Sequence, residues 1–240
     1  MQFLVLFVLS SYIELCYKVY FVFVEVGETC IKYKIRDQNV EINSVSRSTN
    51  VGKIVRRVYN VGYSLVDKDT LKPKIFKYYQ QEYGFIRTQE YVFDTNRIFA
   101  KITKYKDPKD KVGQREELSY EWNNQFEPYS AALFIFKNSS TSGNIDIFYE
   151  RKFYNISFSF LRKESINNHI GDFEANIVEI TPRVETEGAL KPRGSWTIWV
   201  DSQNHIPLKM KIDFTLGSIN IELKDIKGDR TLLGKIGNNI

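Results

Sequence analysis

Metal-ligating and nucleophilic side chains are scarce in this sequence, which holds two histidines and two cysteines in 240 residues. His205 closes the turn-rich run Asp201–His205, and His169 lies in the loop-like run Asn167–Gly171. No HExxH, His-x-His or carboxylate cluster accompanies either, so both read as exposed loop residues and no metal site is expected. GxGxxG and GxxxxGK[ST] loops are absent, which excludes nucleotide binding by those devices. There is no GxSxG elbow, and carboxylates such as Glu150 and Glu164 stand alone. The sequence therefore predicts no catalytic residue, no cofactor and no enzyme activity. Cys16 and Cys30 lack zinc spacing. A hairpin turning at Gly27-Glu28 would bring Cys30 near Glu25 rather than Cys16, so this reading predicts two buried free thiols instead of a disulfide.

Long hydrophobic runs are also missing. The longest, Phe3–Leu9 (FLVLFVL), is too short to span a bilayer and is followed by Ser10 and Ser11. It has the character of the apolar region of a secretory signal. No Lys or Arg precedes it, and no clean small-x-small cleavage site follows. Leu15, just before Cys16, argues against lipidation. Residues 1–16 are expected to be a signal segment, 17–226 one β domain and 227–240 a C-terminal tail. The expected location is the periplasm or outer membrane of a bacterial envelope. The competing reading makes the run the first strand of a cytoplasmic protein. No internal repeat, low-complexity tract or linker divides the chain.

Aromatic and charged residues, by contrast, are plentiful. Hydrophobic residues make up 42% and aromatics 15%, with 17 Phe and 15 Tyr, a composition suited to half-buried pleated surfaces. Charged residues make up 26%, both signs are interspersed, and the net charge is +5. The densest basic run, Lys101–Lys111, surrounds Asp107-Pro108 and reads as a solvated loop. With Tyr105 as its one aromatic it does not predict nucleic-acid binding.

Strand signals recur throughout. Tyr17–Val26 is apolar on both faces, Thr29–Ile35 returns, and Asn39–Ser48 follows. Val51–Tyr59 is a short helical candidate. From Val61 onwards, segments of eight to ten residues alternate with turn signals, as in an up-and-down antiparallel sheet. Tyr154, Ile156, Phe158 and Phe160 share one face, opposite Asn155, Ser157 and Ser159. Ile206, Leu208, Met210, Ile212 and Phe214 oppose Lys209, Lys211 and Asp213. Ile219, Ile221 and Leu223 oppose Asn220, Glu222 and Lys224. Such alternation means one packed face and one wet face.

The clearest helix is Pro128–Lys137. Pro128 suits a first helical position, and Glu127 favours the positive helix end. One such helix cannot cover so large a sheet, so the sheet must curl upon itself. The fold class is mostly β: a large curved antiparallel sheet, half-barrel or barrel-like, with one or two short helices. Its interior would be lined by Tyr154, Ile156, Phe158, Phe160, Trp196, Ile198, Leu208 and Met210. These are the candidate ligand-binding residues for an apolar small molecule, a lipid or a lipoprotein. The alternative is a structural or interaction protein of the envelope, with a filled core and peripheral envelope association.

Several short stretches also carry a resemblance. GSWTIWVD (Gly194–Asp201), HIPL (His205–Leu208) and GSINIEL (Gly217–Leu223) run in order. EPYSAAL (Glu127–Leu133), KFY (Lys152–Tyr154), GDF (Gly171–Phe173) and the Tyr17–Tyr33 hairpin join them. Together they resemble the bacterial family of domains of unknown function numbered 3108, over roughly residues 17–224. The Glu of the helix start replaces that family's Asp. The resemblance implies an exported β protein, similar to the curved half-barrels of lipoprotein carriers. It implies no activity and no catalytic residues.

Overall fold

Period-two patterning becomes strand along most of the chain, in a computed structural model that describes residues 11–55, 57–82, 84–182, 194–214 and 217–237. Three strands, β1 (Tyr12–Phe21), β2 (Val24–Arg36) and β3 (Asn39–Ser48), lead into a short helix, α1 (Asn50–Val55). A meander follows: β4 (Val58–Asp67), β5 (Pro73–Glu82), β6 (Phe85–Asp94), β7 (Arg97–Tyr105) and β8 (Gln114–Glu121). Helix α2 (Pro128–Lys137) separates it from β9 (Gly143–Tyr149), β10 (Lys152–Asn168) and β11 (Gly171–Thr181). The last strands are β12 (Trp196–Asp201), β13 (Pro207–Phe214) and β14 (Gly217–Gly228), with a 3-10 turn at Leu232–Lys235.

The fourteen strands of the described residues form one sheet, in the order β8-β7-β6-β5-β4-β3-β2-β1-β14-β13-β12-β11-β10-β9. First and last strands pair antiparallel in its middle. The edges are β8 and β9, neighbours in sequence, so the sheet curls towards closure without ladder bonds between them. Side chains bridge this seam. Phe148 packs on Tyr120 at 4.9 Å and on Tyr91 at 5.1 Å between ring centroids. Arg151 pairs with Glu116 at 2.7 Å, and buried Arg87 pairs with buried Glu150. The free edge of β9 is also partly occupied, because Phe126 bridges Ile147 in parallel.

The expected mostly β, curved antiparallel architecture is present, with α2 at its expected residues. Three expectations need correction. The first hairpin turns at Val22-Phe23, not at Gly27. A bulge at Val19/Tyr20 then sets the β1–β2 register so that Cys16 stands opposite Cys30. The two form a disulfide across a Cα–Cα distance of 4.1 Å, where two buried free thiols were expected. Residues 17 and 226 lie within β1 and β14. Ile13 and Leu15 of β1 are fully buried, while beyond β14 Leu232, Leu233 and Ile236 enter the core. The Phe3–Leu9 run lies outside the described residues. Third, His205 is half-buried against α2 rather than exposed, whereas His169 is exposed.

Candidate functional site

Helix α2 forms the floor of the curled sheet. Glu127 caps it: its carboxylate accepts from the backbone N–H groups of Tyr129 at 2.9 Å and Ser130 at 2.8 Å, while Ser130 Oγ accepts from the Glu127 N–H. Ser64 Oγ of β4 donates to the same carboxylate at 2.8 Å. Burial pushes the Glu127 carboxyl up to about 7, against the pull of these three donors. Tyr129 reaches into the opposite wall, with 2.5 Å between its hydroxyl and Ser44 Oγ. Gly62 makes room for that hydroxyl, since a Cβ there would overlap it. Burial raises the Tyr129 phenol to about 12. At the last turn, His205 Nδ1–H donates to the Phe136 carbonyl at 3.1 Å, and Lys137 Nζ donates to the Gly234 carbonyl at 3.1 Å. Burial and the Lys137 charge lower the His205 pKa.

Above this floor the inner wall has two halves of different chemistry. Across β2–β6, Thr29, Ser46, Asn60, Gln80 and Arg87 follow one another in register. This polar band ends on the Arg87–Glu150 pair. The other half is apolar. In one register Trp196, Ile212 and Ile219 are neighbours; in the next, Met210, Ile221 and Val19. These six alternate with outward residues and share a face with Leu208, Leu223 and Tyr17, which are buried one step deeper. The six themselves are only half-buried.

The eight residues expected to line the interior divide along this boundary. Ile156, Phe158, Ile198 and Leu208 are buried in the main core. Phe158 packs edge-on against Phe134 of α2, 6.3 Å between centroids. Tyr154, Trp196 and Met210 are half-buried against the same core, and Phe160 is half-buried. Phe158 thus meets the helix and the other three lie in the same buried core, while Trp196 and Met210 join the uncovered rows. The indole Nε1 of Trp196 is buried without a partner among the described residues. Val19 was not recognised as part of the apolar wall, because the misplaced hairpin turn hid its register.

A concavity lies on the outer face of the sheet. A groove of about 460 Å³ crosses the outer face of β4–β8, walled by Tyr63, Tyr79, Tyr105, Lys77, Lys101 and Arg115. Lys77 pairs with Glu90 at 2.5 Å and Arg115 pairs with Glu117. Sequence alternation reveals which face these side chains take but not that the outer face is locally concave. Among the described residues no group of three or more His, Cys, Asp or Glu is placed to hold a metal ion.

No curated protein sequence matches the chain. Among solved structures, it is similar to a β-barrel-like protein of the domain of unknown function family 1849 from Brucella abortus. The TM-score is 0.59 at 9% identity, covering 91% of this chain and 98% of that one. That likeness is one of fold. A putative outer membrane lipoprotein-sorting protein domain from Vibrio parahaemolyticus aligns at TM-score 0.28 and 8% identity, over 91% of this chain and 86% of that one. A family 1329 protein from Desulfovibrio piger aligns at TM-score 0.26 and 9% identity, over 92% and 85%. The model of one family, protein of unknown function 3108, matches residues 16–224, from within β1 to within β14 and including α2. The chain belongs to that family.

Proposed function

We propose that this is an exported envelope protein that holds an apolar or lipid-like ligand between the polar and apolar walls of its curled sheet, without catalysing a reaction on it. The observation that carries the reading is the half-burial of Val19, Trp196, Met210, Ile212, Ile219 and Ile221 on the inward face, next to rows that are fully buried. Inward apolar surface left uncovered is what an acyl chain would cover. The unpartnered Trp196 indole N–H supplies a hydrogen-bond donor beside it, suited to a carboxylate or ester oxygen. Export is supported by the Cys16–Cys30 disulfide, a bond that persists in oxidising compartments such as the periplasm.

Uptake of a fluorescent fatty-acid probe by the purified protein tests the reading, together with lipid extraction and native mass spectrometry for what co-purifies. Met210→Trp should fill the uncovered rows and abolish uptake with little loss of stability. Wild-type protein that takes up no apolar probe and carries no lipid would overturn the reading. The second reading, a structural or interaction protein, is favoured by α2 and the deep packing of Ile156, Phe158, Ile198 and Leu208. On that reading Met210→Trp overpacks the interior and costs about 1–3 kcal/mol.

A further inference from the structure

We propose that the β1–β2 turn and α1 form a docking surface for an anionic lipid bilayer. Phe23 is 93% exposed at the tip of the first hairpin, and Ile54 of α1 is 86% exposed. Val22, Val24 and Val51 are exposed as well. Large apolar side chains at a protein surface are usually partly covered, so this group on two adjoining elements marks an interaction site.

The two elements are fixed to each other. Thr49 N–H donates to the Val26 carbonyl at 2.9 Å, and Thr49 Oγ1 donates to the Glu25 carbonyl at 3.1 Å. Gly52 brings α1 so close to β2 that a Cβ there would collide with the Val26 carbonyl oxygen. Val22 sits at φ 57°, a left-handed conformation that a β-branched residue adopts only when its surroundings impose it. The Val22 N–H also donates to the Ser218 carbonyl at 3.0 Å, which ties the turn bearing Phe23 to β14.

Charge selects the partner. The acids beside the tip are engaged: Glu25 pairs with Lys18 at 2.8 Å, and Glu28 pairs with Arg47. Beyond these two pairs, α1 and the start of the next segment add Lys53 and Arg57, both basic and exposed. Apolar tips beside an excess of basic charge suit the interface of an anionic membrane. The turn lies at the end of the sheet where Ile212 and Ile219 also reach the ends of their strands, so docking there would bring the half-buried apolar rows towards the bilayer.

Co-sedimentation of the full chain with vesicles tests this. Equimolar phosphatidylglycerol and phosphatidylcholine vesicles should retain the protein, and pure phosphatidylcholine vesicles should retain far less. Phe23→Ser and Ile54→Ser should each weaken retention about tenfold. Lys53→Glu and Arg57→Glu should each weaken it about fivefold or more. All four positions are exposed, so unchanged thermal unfolding verifies that the variants fold. Met210→Trp should lose the fatty-acid probe yet keep vesicle binding, which separates failure of this surface from failure of the interior site. Equal retention on neutral vesicles, or retention unaffected by the Phe23 and Ile54 changes, would overturn the proposal. So would a dimer in analytical ultracentrifugation that the same changes dissociate, since the surface would then join two copies of the chain.

Discussion

The carboxylate of Glu127 and the hydroxyl of Ser64, 63 residues apart in sequence, meet at 2.8 Å beneath the core and tie the start of α2 to β4. Because burial raises the folded pKa from the ordinary 4.5 to about 7, the folded state holds this proton more tightly than the unfolded chain does. The resulting stabilisation is fully present below pH 4.5 and is lost as pH rises towards 7. It amounts to about 3 kcal/mol over that window. Glu127→Gln should remove this dependence, leaving a flatter curve of unfolding free energy between pH 4.5 and 7.5. A mutant curve as steep as the wild-type one would show that another group titrates.

His205, at the other end of α2, acts with opposite sign. Its pKa is lowered by burial and by Lys137, so its contribution is present above the ordinary 6.5 and is lost as pH falls through the folded value. His205→Gln should stabilise the protein relative to wild type below pH 6, as read from denaturant midpoints compared at pH 5 and pH 8. No change in that difference would place the acid sensitivity elsewhere.

Reducing the Cys16–Cys30 bond should destabilise the protein by about 3 kcal/mol, the value for a closed loop of this size. Thermal unfolding with and without dithiothreitol reads the effect. A Cys16→Ser, Cys30→Ser double variant should match the reduced protein and be insensitive to the reductant.

Breaking the buried Arg87–Glu150 pair should cost more than its exposed counterparts. Glu150→Gln leaves a guanidinium buried at 2% side-chain exposure and should destabilise by about 3–5 kcal/mol. Glu164→Gln, on the solvent-exposed Arg162–Glu164 pair, should cost less than about 1 kcal/mol. Equal losses in urea denaturation would mean that the seam between β8 and β9 is wet.

Register along β10 and β13 can be checked by paired truncations. Phe158→Ala, in the core against α2, should cost about 3–5 kcal/mol. Lys209→Ala removes a half-exposed partner of Glu222 at 3.4 Å and should cost about half a kcal/mol. Comparable losses would mean that the faces are misassigned.

Much of this architecture was legible because its signals are local. Turn-bounded segments located most strands, and Glu127-Pro128 marked the start of α2. The first hairpin was misread for a specific reason. Val22 and Phe23 are poor turn residues by composition, and Val22 turns the chain at positive φ. Gly27, which reads as the turn, instead lies within β2 opposite Ser48, where the Arg47 carbonyl leaves no room for a side chain. That displacement concealed the disulfide and the place of Val19 in the apolar wall. Arg87 and Glu150 could not be paired from sequence, because sheet curvature rather than spacing brings them together. The six half-buried apolar residues read as ordinary core, since alternation identifies a face but not what covers it.

The strand order also governs how the chain can reach its folded state. β1 finds β2 as soon as both exist, but its other neighbour is the last strand in the sequence. Until β14 arrives, β1 presents an unsatisfied ladder and apolar side chains on an open margin, a template for pairing with other chains. Contacts this distant along the polymer make the final association slow. A molecule emerging amino-end first would therefore remain incomplete until synthesis or translocation had finished, and it would rely on holding factors in the interval.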